Sequence, residues 1–570
     1  MRASRRIPSA AHVAARALAP GSTSSRGSRP TLRAALWPTP WSTTRLTLAA
    51  APRPTLRATL TTALSAALVV TAAGGAAAQQ GAPAAGSASP VSASVAEWRA
   101  ANERPIVDEF LGLLALPNVA RQEADMQRNA LHLAEMFRRR GFQVETTAGP
   151  GSPVVLARLP AENARGTLTL YIHYDGQPVD PAEWTHCGPF EPCVVGPAGK
   201  VALDASLTRF DPAWRVYGRS ASDDKGPIMA TLAAVDALRA TGSAPAWNVT
   251  VVLDGQEEAG SANFRRFVAE RGEELRADLA ITLDGPRHPS ARPTMYYGVR
   301  GGASLTLTVF AARGDLHSGN YGNWAPDASI RLGRLLASMK DEDGKVLVEG
   351  FYRDATPLTA TEREALAAMP EIEQELARTF GIARPERPSE RLEAKLNEPT
   401  LNVLAMESGG GLSAPGRTAI PASAAARIAM RLVHGIDPEK QVGLVVEHVR
   451  RQGYHVVENR EPSDEERLAH PLLARVDSRG GSRATRVSME DPMALEVAAV
   501  LTRNGVPPVR LPTLGGSMPF GELSEGVGMP TVGVSLVNHD NNQHGPDENL
   551  RLQNLWEGIE ILAGIMTMPR

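Results

Sequence analysis

The order of apolar runs along the chain predicts an α/β fold, a central and mostly parallel sheet interrupted by an inserted α+β domain. Three observations carry that expectation. Strand-like runs alternate with helical patterns between Val154 and Leu283. The texture changes near Tyr297, after which Ser304 to Val309 alternates like a half-exposed strand. An apolar helical pattern then returns at Met489 to Thr502, followed by the buried strand-like run Thr531 to Val537.

The start of the chain reads as a leader and not as fold. No Asp or Glu precedes Glu97, while ten Arg fall within residues 1 to 57. Arg53 and Arg57 lead into an apolar run from Leu60 to Ala73, and Ala76-Ala77-Ala78 fits the small-residue rule of signal cleavage. The run is shorter than the roughly 20 residues a membrane-spanning helix needs, so export is expected without stable membrane insertion. Cleavage after Ala78 would remove ten of the 60 basic residues and none of the 62 acidic ones, leaving a net charge of −12. A surface of that sign repels nucleic acid and anionic lipid. Residues 79–95, rich in Ala, Gly, Ser and Pro, read as a flexible tether. The two cysteines, Cys187 and Cys193, sit in a turn-like segment where a local disulfide is expected in an oxidising periplasmic or secreted setting.

Two helices are expected between Trp98 and Arg140, then strands at Val154 to Leu159 and Thr167 to Ile172. Pro227 suits the first turn of a helix carrying Ile228, Leu232, Val235 and Leu238, and further strands end at Leu253 and Leu283. Within the insert, a strand at 304–309, a helix at 328–339, a strand at 427–433 and a helix at 438–453 suggest a β-α-β-β-α-β unit. Residues 341–399 form a charged helical elaboration of it. The expected parts are therefore a leader (1–78), the tether (79–95), a first catalytic part (96–297), the insert (298–487) and a second catalytic part (488–570).

Chemistry-bearing residues gather just past the strand-like runs. Val249 to Leu253 empties into Asp254-Gly255-Gln256-Glu257-Glu258-Ala259-Gly260-Ser261, where adjacent carboxylates point different ways. One of the pair can hold a metal while the other faces a reacting water. His173 and Asp175, Asp223, Asp284 and His544 follow other runs. The carboxyl ends of parallel strands cluster at one sheet edge, where open α/β folds bind ligands. Imidazoles and carboxylates without thiolate suit zinc or manganese.

With these motifs in view, the chain resembles the M20 family of metallopeptidases, in its carnosinase-like, cytosolic non-specific dipeptidase branch. The resemblance rests on His173-x-Asp175-x-x-Pro178, on Gly218 to Pro227, on the Glu257-Glu258 pair before Ala259-Gly260-Ser261, and on His544. It implies a di-metal exopeptidase-type catalytic domain whose insert is a lid and dimerisation domain. It also implies two divalent ions, zinc or manganese, bridged by Asp223, with His173 and Asp284 completing one and Glu258 and His544 the other. Glu257 would be the general base, and Asp175 would hold the His173 ring. The segment Gly314 to Gly319 resembles the family's lid stretch, whose histidine, here His317, reaches the site of the other subunit of a homodimer. Arg431 matches the arginine that grips the substrate carboxylate, a task suited to a planar fork. Gly515 to Pro519, with Gly516 and Ser517, matches a turn offering backbone donors to that carboxylate. The expected function is cleavage of small peptides, as an exported dipeptidase or carboxypeptidase-like hydrolase. Deacylation of N-acyl amino acids on the same metals is the alternative, and the presence of Glu257 disfavours a binding protein without turnover. Ser220, where many relatives have Gly, and the cysteine pair depart from the family pattern without touching an expected ligand.

Overall fold

The computed structural model describes residues 90–147, 151–411 and 418–569. The expected leader and most of the expected tether lie outside these. The last six tether residues are helical, because α1 (Pro90–Ala101) begins there and buries Val95 completely. Its Arg99 lies over the Trp556 ring and reaches Glu560, so the segment is docked on the C-terminal helix instead of free. Three helices, not two, precede Arg140: α1, α2 (Glu103–Leu114) and α3 (Glu123–Arg139). The first break falls at Asn102, whose non-helical backbone separates two stretches of continuous apolar periodicity.

Next come β1 (Gln143–Thr146), β2 (Val155–Leu159) and β3 (Thr167–His173), then α4 (Lys225–Ala240), β4 (Asn248–Asp254), β5 (Leu279–Thr282) and β6 (Thr294–Tyr296). The insert supplies β7 (Gly301–Phe310), α5 (Ala328–Ala337), β8 (Thr400–Ser408), β9 (Ser423–Leu432), α6 (Pro438–Arg451), β10 (His455–Glu458) and β11 (Leu473–Ser482). The chain returns through α7 (Pro492–Leu501), β12 (Val509–Leu511), β13 (Thr531–Ser535) and α8 (Leu552–Thr567). The expected β-α-β-β-α-β order of the insert is present, with the short β10 added. The charged elaboration contains three short helices, Ala360–Ala367, Glu373–Thr379 and Leu392–Leu396.

The first sheet has the order β1-β2-β4-β3-β5-β13-β6-β12. Its centre, β4-β3-β5-β13, is parallel, whereas β1, β2 and the β13–β6 pair run antiparallel, so the sheet is mixed. β3 and β4 are buried along nearly their whole lengths, as strands covered by helices on both faces must be. One core cluster unites Phe110, Val251, Ile281 and Leu562 around this sheet. A separate cluster, including Leu307, Ile428 and Val445, fills the insert, whose sheet has the order β8-β9-β7-β11-β10. Where the chain leaves for the insert and comes back, Gly298 pairs with Arg486 and Val299 with Thr485. Cys187 and Cys193 are joined, with their Cα atoms 6.2 Å apart. Among the described residues no helix is long and apolar enough to cross a membrane.

Candidate metal centre and substrate cleft

Parallel pairing delivers the polar residues to one edge. β3 ends on His173, in register with Asp254 at the end of β4, and Asp284 lies two residues beyond β5. Past Asp254 the chain tightens into a 3₁₀ turn over Glu257–Ala259. The Asp175 carboxylate, wholly buried, fixes that turn by accepting the backbone N–H groups of Glu257 and Glu258, each at 3.0 Å. Asp223 stands before α4, and His544 is on a loop at φ 65°, a left-handed conformation that re-aims its ring.

The Asp223 carboxylate faces an imidazole with each oxygen. Oδ1 is 2.8 Å from His173 Nε2, and Oδ2 is 3.1 Å from His544 Nε2. Asp284 Oδ2 is 3.9 Å from the same His173 nitrogen, and Glu258 Oε2 is 3.4 Å from that of His544. Two groups thus share Asp223: His173, Asp223 and Asp284, and Asp223, Glu258 and His544, the ligand atoms of each lying within 4.8 Å of one another. The other nitrogen of His173 is 3.4 Å from Asp175 Oδ1 and 3.2 Å from the Asp175 carbonyl, so the residue holds the ring through both main chain and side chain.

Negative charge is crowded into a dry place. Burial, with the Asp223 charge beside them, pushes Asp284 up to about 6 and Glu258 up to about 7. Glu257 is raised well above the carboxylate range, mainly by burial and then by Asp284, Asp223 and Glu258. Burial alone would lower His173, but hydrogen bonds to Asp175 and Asp223 hold it well above the usual imidazole value. Its bond to Asp223 pushes His544 up to about 9. Protons here do what a divalent cation would do better, since a cation offsets several carboxylates at once. A buried oxygen of Asp224, Oδ1, has no partner at all. Two imidazole nitrogens and a set of carboxylates without sulfur fit a hard or borderline divalent ion.

Several residues that support this edge escaped the sequence reading. Glu548, fully buried, accepts the N–H groups of Ser220 (2.9 Å), Ser222 (3.0 Å) and Asp223 (2.9 Å) and the Ser222 hydroxyl (2.9 Å). Arg219 closes the arrangement at 2.7 Å. Gln177 donates to Glu258 Oε2 at 2.6 Å, and buried Lys225 donates to the Leu113 and Leu116 carbonyls. Glu548 carried one usable signal: it stands four residues after His544, as Arg219 stands four before Asp223.

A cleft of about 860 Å³ runs from Glu257 and Ser261 to Arg300, Ser482 and Ser517, between the first sheet's edge and the insert. Arg431 is exposed between buried Met430 and Leu432, as alternation predicts, and its Nη1 donates to Ser517 Oγ at 2.9 Å. Gly516 contributes its carbonyl to the Arg300 N–H at 3.0 Å. His317 is elsewhere: it is exposed on a short strand pair with Ala419, and its Nδ1 accepts the Gly319 N–H at 3.1 Å. Within one chain no described hydrogen bond or ion pair links it to the residues around Asp223.

The profile of peptidase family M20/M25/M40 matches residues 169–568. The human Beta-Ala-His dipeptidase is 27% identical over 428 residues, 73% of this chain and 77% of that protein. The Cys-Gly metallodipeptidase of Schizosaccharomyces pombe is 27% identical over 307 residues, 53% of this chain and 61% of that protein. Among solved structures, an M20 family metallo-carboxypeptidase from Sulfolobus solfataricus superimposes with a TM-score of 0.65 at 27% identity, over 81% of this chain and 98% of that one. Human carnosine dipeptidase 1 has the same fold, with a TM-score of 0.64 at 23% identity, over 83% of this chain and 98% of that one.

Proposed function

The chain belongs to peptidase family M20/M25/M40 and is a hydrolase, and from that premise we propose that it is a two-metal dipeptidase acting on small peptides with a free C-terminal carboxylate. The observation that carries the reading is the Asp223 carboxylate turned by its two oxygens toward His173 and His544, with Asp284 and Glu258 completing the two groups. His173, Asp223 and Asp284 would hold one ion, and Asp223, Glu258 and His544 the other, zinc or manganese. When bound, the cations supply Lewis acidity toward water and the amide carbonyl. Glu257, beside them in the cleft, takes the proton of the attacking water and returns it to the leaving amine. Asp175 keeps Glu257 aimed by holding the backbone of the turn. Arg431 and Ser517 receive the substrate carboxylate and so align the scissile bond.

The active unit in this reading is a homodimer in which His317 of one subunit completes the other's oxyanion site. In support, β8 is an edge strand carrying exposed Val403 (42%), Leu404 (59%) and Met406 (58%), and Trp324 beyond His317 is 79% exposed. An uncovered apolar edge of this kind suits a second copy. Export to the periplasm or beyond is proposed from the Arg-then-apolar leader, and the Cys187–Cys193 pair is in keeping with it. The deciding assay runs purified protein against a panel of dipeptides and of N-acyl amino acids, with and without chelator. Chelator-sensitive dipeptide hydrolysis is expected. Turnover confined to N-acyl amino acids would replace the reading with deacylation, and turnover indifferent to chelator would end it.

A further inference from the structure

Four arginines are buried among the described residues: Arg140, Arg219, Arg287 and Arg300. The first three each meet a carboxylate, Glu109 and Asp236, Glu548, and Glu557 respectively. Arg300, only 4% exposed, forms no ion pair among the described residues. Its Nη2 donates to two backbone carbonyls, Glu398 at 2.5 Å and Arg431 at 3.4 Å. Its Nε is buried without a partner, and no described hydrogen bond uses Nη1. A buried cation without a counter-charge is costly, and proteins keep one where an anionic ligand supplies the missing charge.

The surroundings say where that ligand sits. Arg300 lines the same cleft as Glu257 and Ser517, and Ser517 Oγ links the two arginines by donating to the Arg300 carbonyl at 2.6 Å while accepting from Arg431. Burial, together with the neighbouring Arg431 charge, pushes the Arg300 guanidinium down to about 10. An anion between the two would relieve that repulsion. The backbone here is also held tightly. Arg300 is at the point where the chain crosses into the insert, and a Cβ placed on Gly301 would come within 2.3 Å of the Ser482 carbonyl. A guanidinium fixed in this way loses little freedom on binding.

We propose that Arg300 is a second arginine of the carboxylate site, sharing the substrate's C-terminal carboxylate with Arg431 and setting the preference for peptides that carry one. The inference rests on the dipeptidase reading given above. Because Arg300 lies where the chain crosses into the insert, between the Gly298–Val299 pair and β7, while Arg431 belongs to β9 of the insert sheet, a shared carboxylate ties the insert to the metal edge.

The test compares kcat/KM for one dipeptide and its C-terminal amide, in wild type, Arg300→Gln, Arg300→Lys and Arg431→Gln, all metal-loaded. A charge-assisted hydrogen bond is worth about 10- to 100-fold, so the acid-to-amide ratio should fall by roughly that factor in Arg300→Gln, chiefly through KM. Arg300→Lys keeps the charge but not the fork, and should lower the ratio several-fold. It also answers the question if the glutamine variant fails to fold. An equal loss on acid and amide would overturn the proposal, leaving Arg300 as support for the Glu398 and Arg431 carbonyls. Were Arg431→Gln alone to collapse the ratio, the Arg300 assignment would fall while the dipeptidase reading stood. A wild-type enzyme that cleaves acid and amide alike would remove both.

Discussion

Replacing Glu548 by Gln should disarm the metal edge without touching a ligand. The carboxylate is fully buried, with Oε2 taking the Ser220 N–H and Arg219, and Oε1 taking the N–H groups of Ser222 and Asp223 and the Ser222 hydroxyl. Gln keeps the shape but turns one of these two acceptor ends into a donor. Whichever end carries the amide, it faces at least two donors, and each buried group left unmatched costs about 1–3 kcal/mol. Arg219, 3% exposed at its side chain, also loses its buried anion, and breaking such a pair costs about 3–5 kcal/mol. These overlap, because Arg219 is counted in both, so a loss of about 3–5 kcal/mol is expected for the metal-loaded protein in denaturant titration. Since the Asp223 N–H is one of the donors released, metal content after dialysis should fall as well. Glu257→Gln is the control, for its side chain has no part in this arrangement. A Glu548→Gln protein within about 0.5 kcal/mol of wild type and with full metal content would refute the reasoning, as surface changes alone stay in that range.

Glu257→Gln itself should lower kcat by about 10²–10⁴-fold while elemental analysis still finds both ions; an active variant would transfer the role of base to Glu258. His544→Ala, by contrast, should reduce metal content, and unchanged content would exclude the residue as a ligand. Mixing His317→Ala with Glu257→Gln under subunit exchange should restore part of the activity, because one mixed site would combine an intact metal centre with an intact partner histidine; exchange without recovery would confine His317 to its own chain. His448, in the insert, is buried against Ser338 and burial lowers its pKa below the ordinary 6.5. Below pH 6.5 the unfolded chain therefore binds a proton that the folded one refuses, so stability is present above that pH and is lost as pH falls through it. His448→Gln should flatten this dependence in denaturant titrations, and an unaltered slope between pH 5 and pH 7 would count against it.

Much of the candidate site is legible in the sequence because its residues end strands, and a strand end is a local signal. His173 closes a run of β-branched and apolar residues, Glu257 and Glu258 follow another, and Asp284 a third. Once those runs are parallel neighbours in one sheet, their ends have nowhere to go but the same edge. The exposure of Arg431 follows from strand alternation in the same way. Where sequence reading went astray, the deciding contacts are distant along the chain. Residues 90–95 look like linker by composition, and become helix because α8, more than 450 positions away, offers Val95 a buried seat.

The sequence by itself determined the alternation of the main strands and helices, the change of texture that marks an insert, and the set of imidazoles and carboxylates that can hold metal, since periodicity and turn chemistry act between near neighbours. Only the tertiary structure decided which oxygens of Asp223 meet which histidine, that Asp175 pins the turn of Glu257, and that Glu548 and Arg219 brace the loop before α4. It alone left Arg300 buried without a carboxylate beside the Arg431–Ser517 pair. Satisfying a buried charge depends on what the folded chain brings within about 4 Å, and no pattern of adjacent residues encodes that.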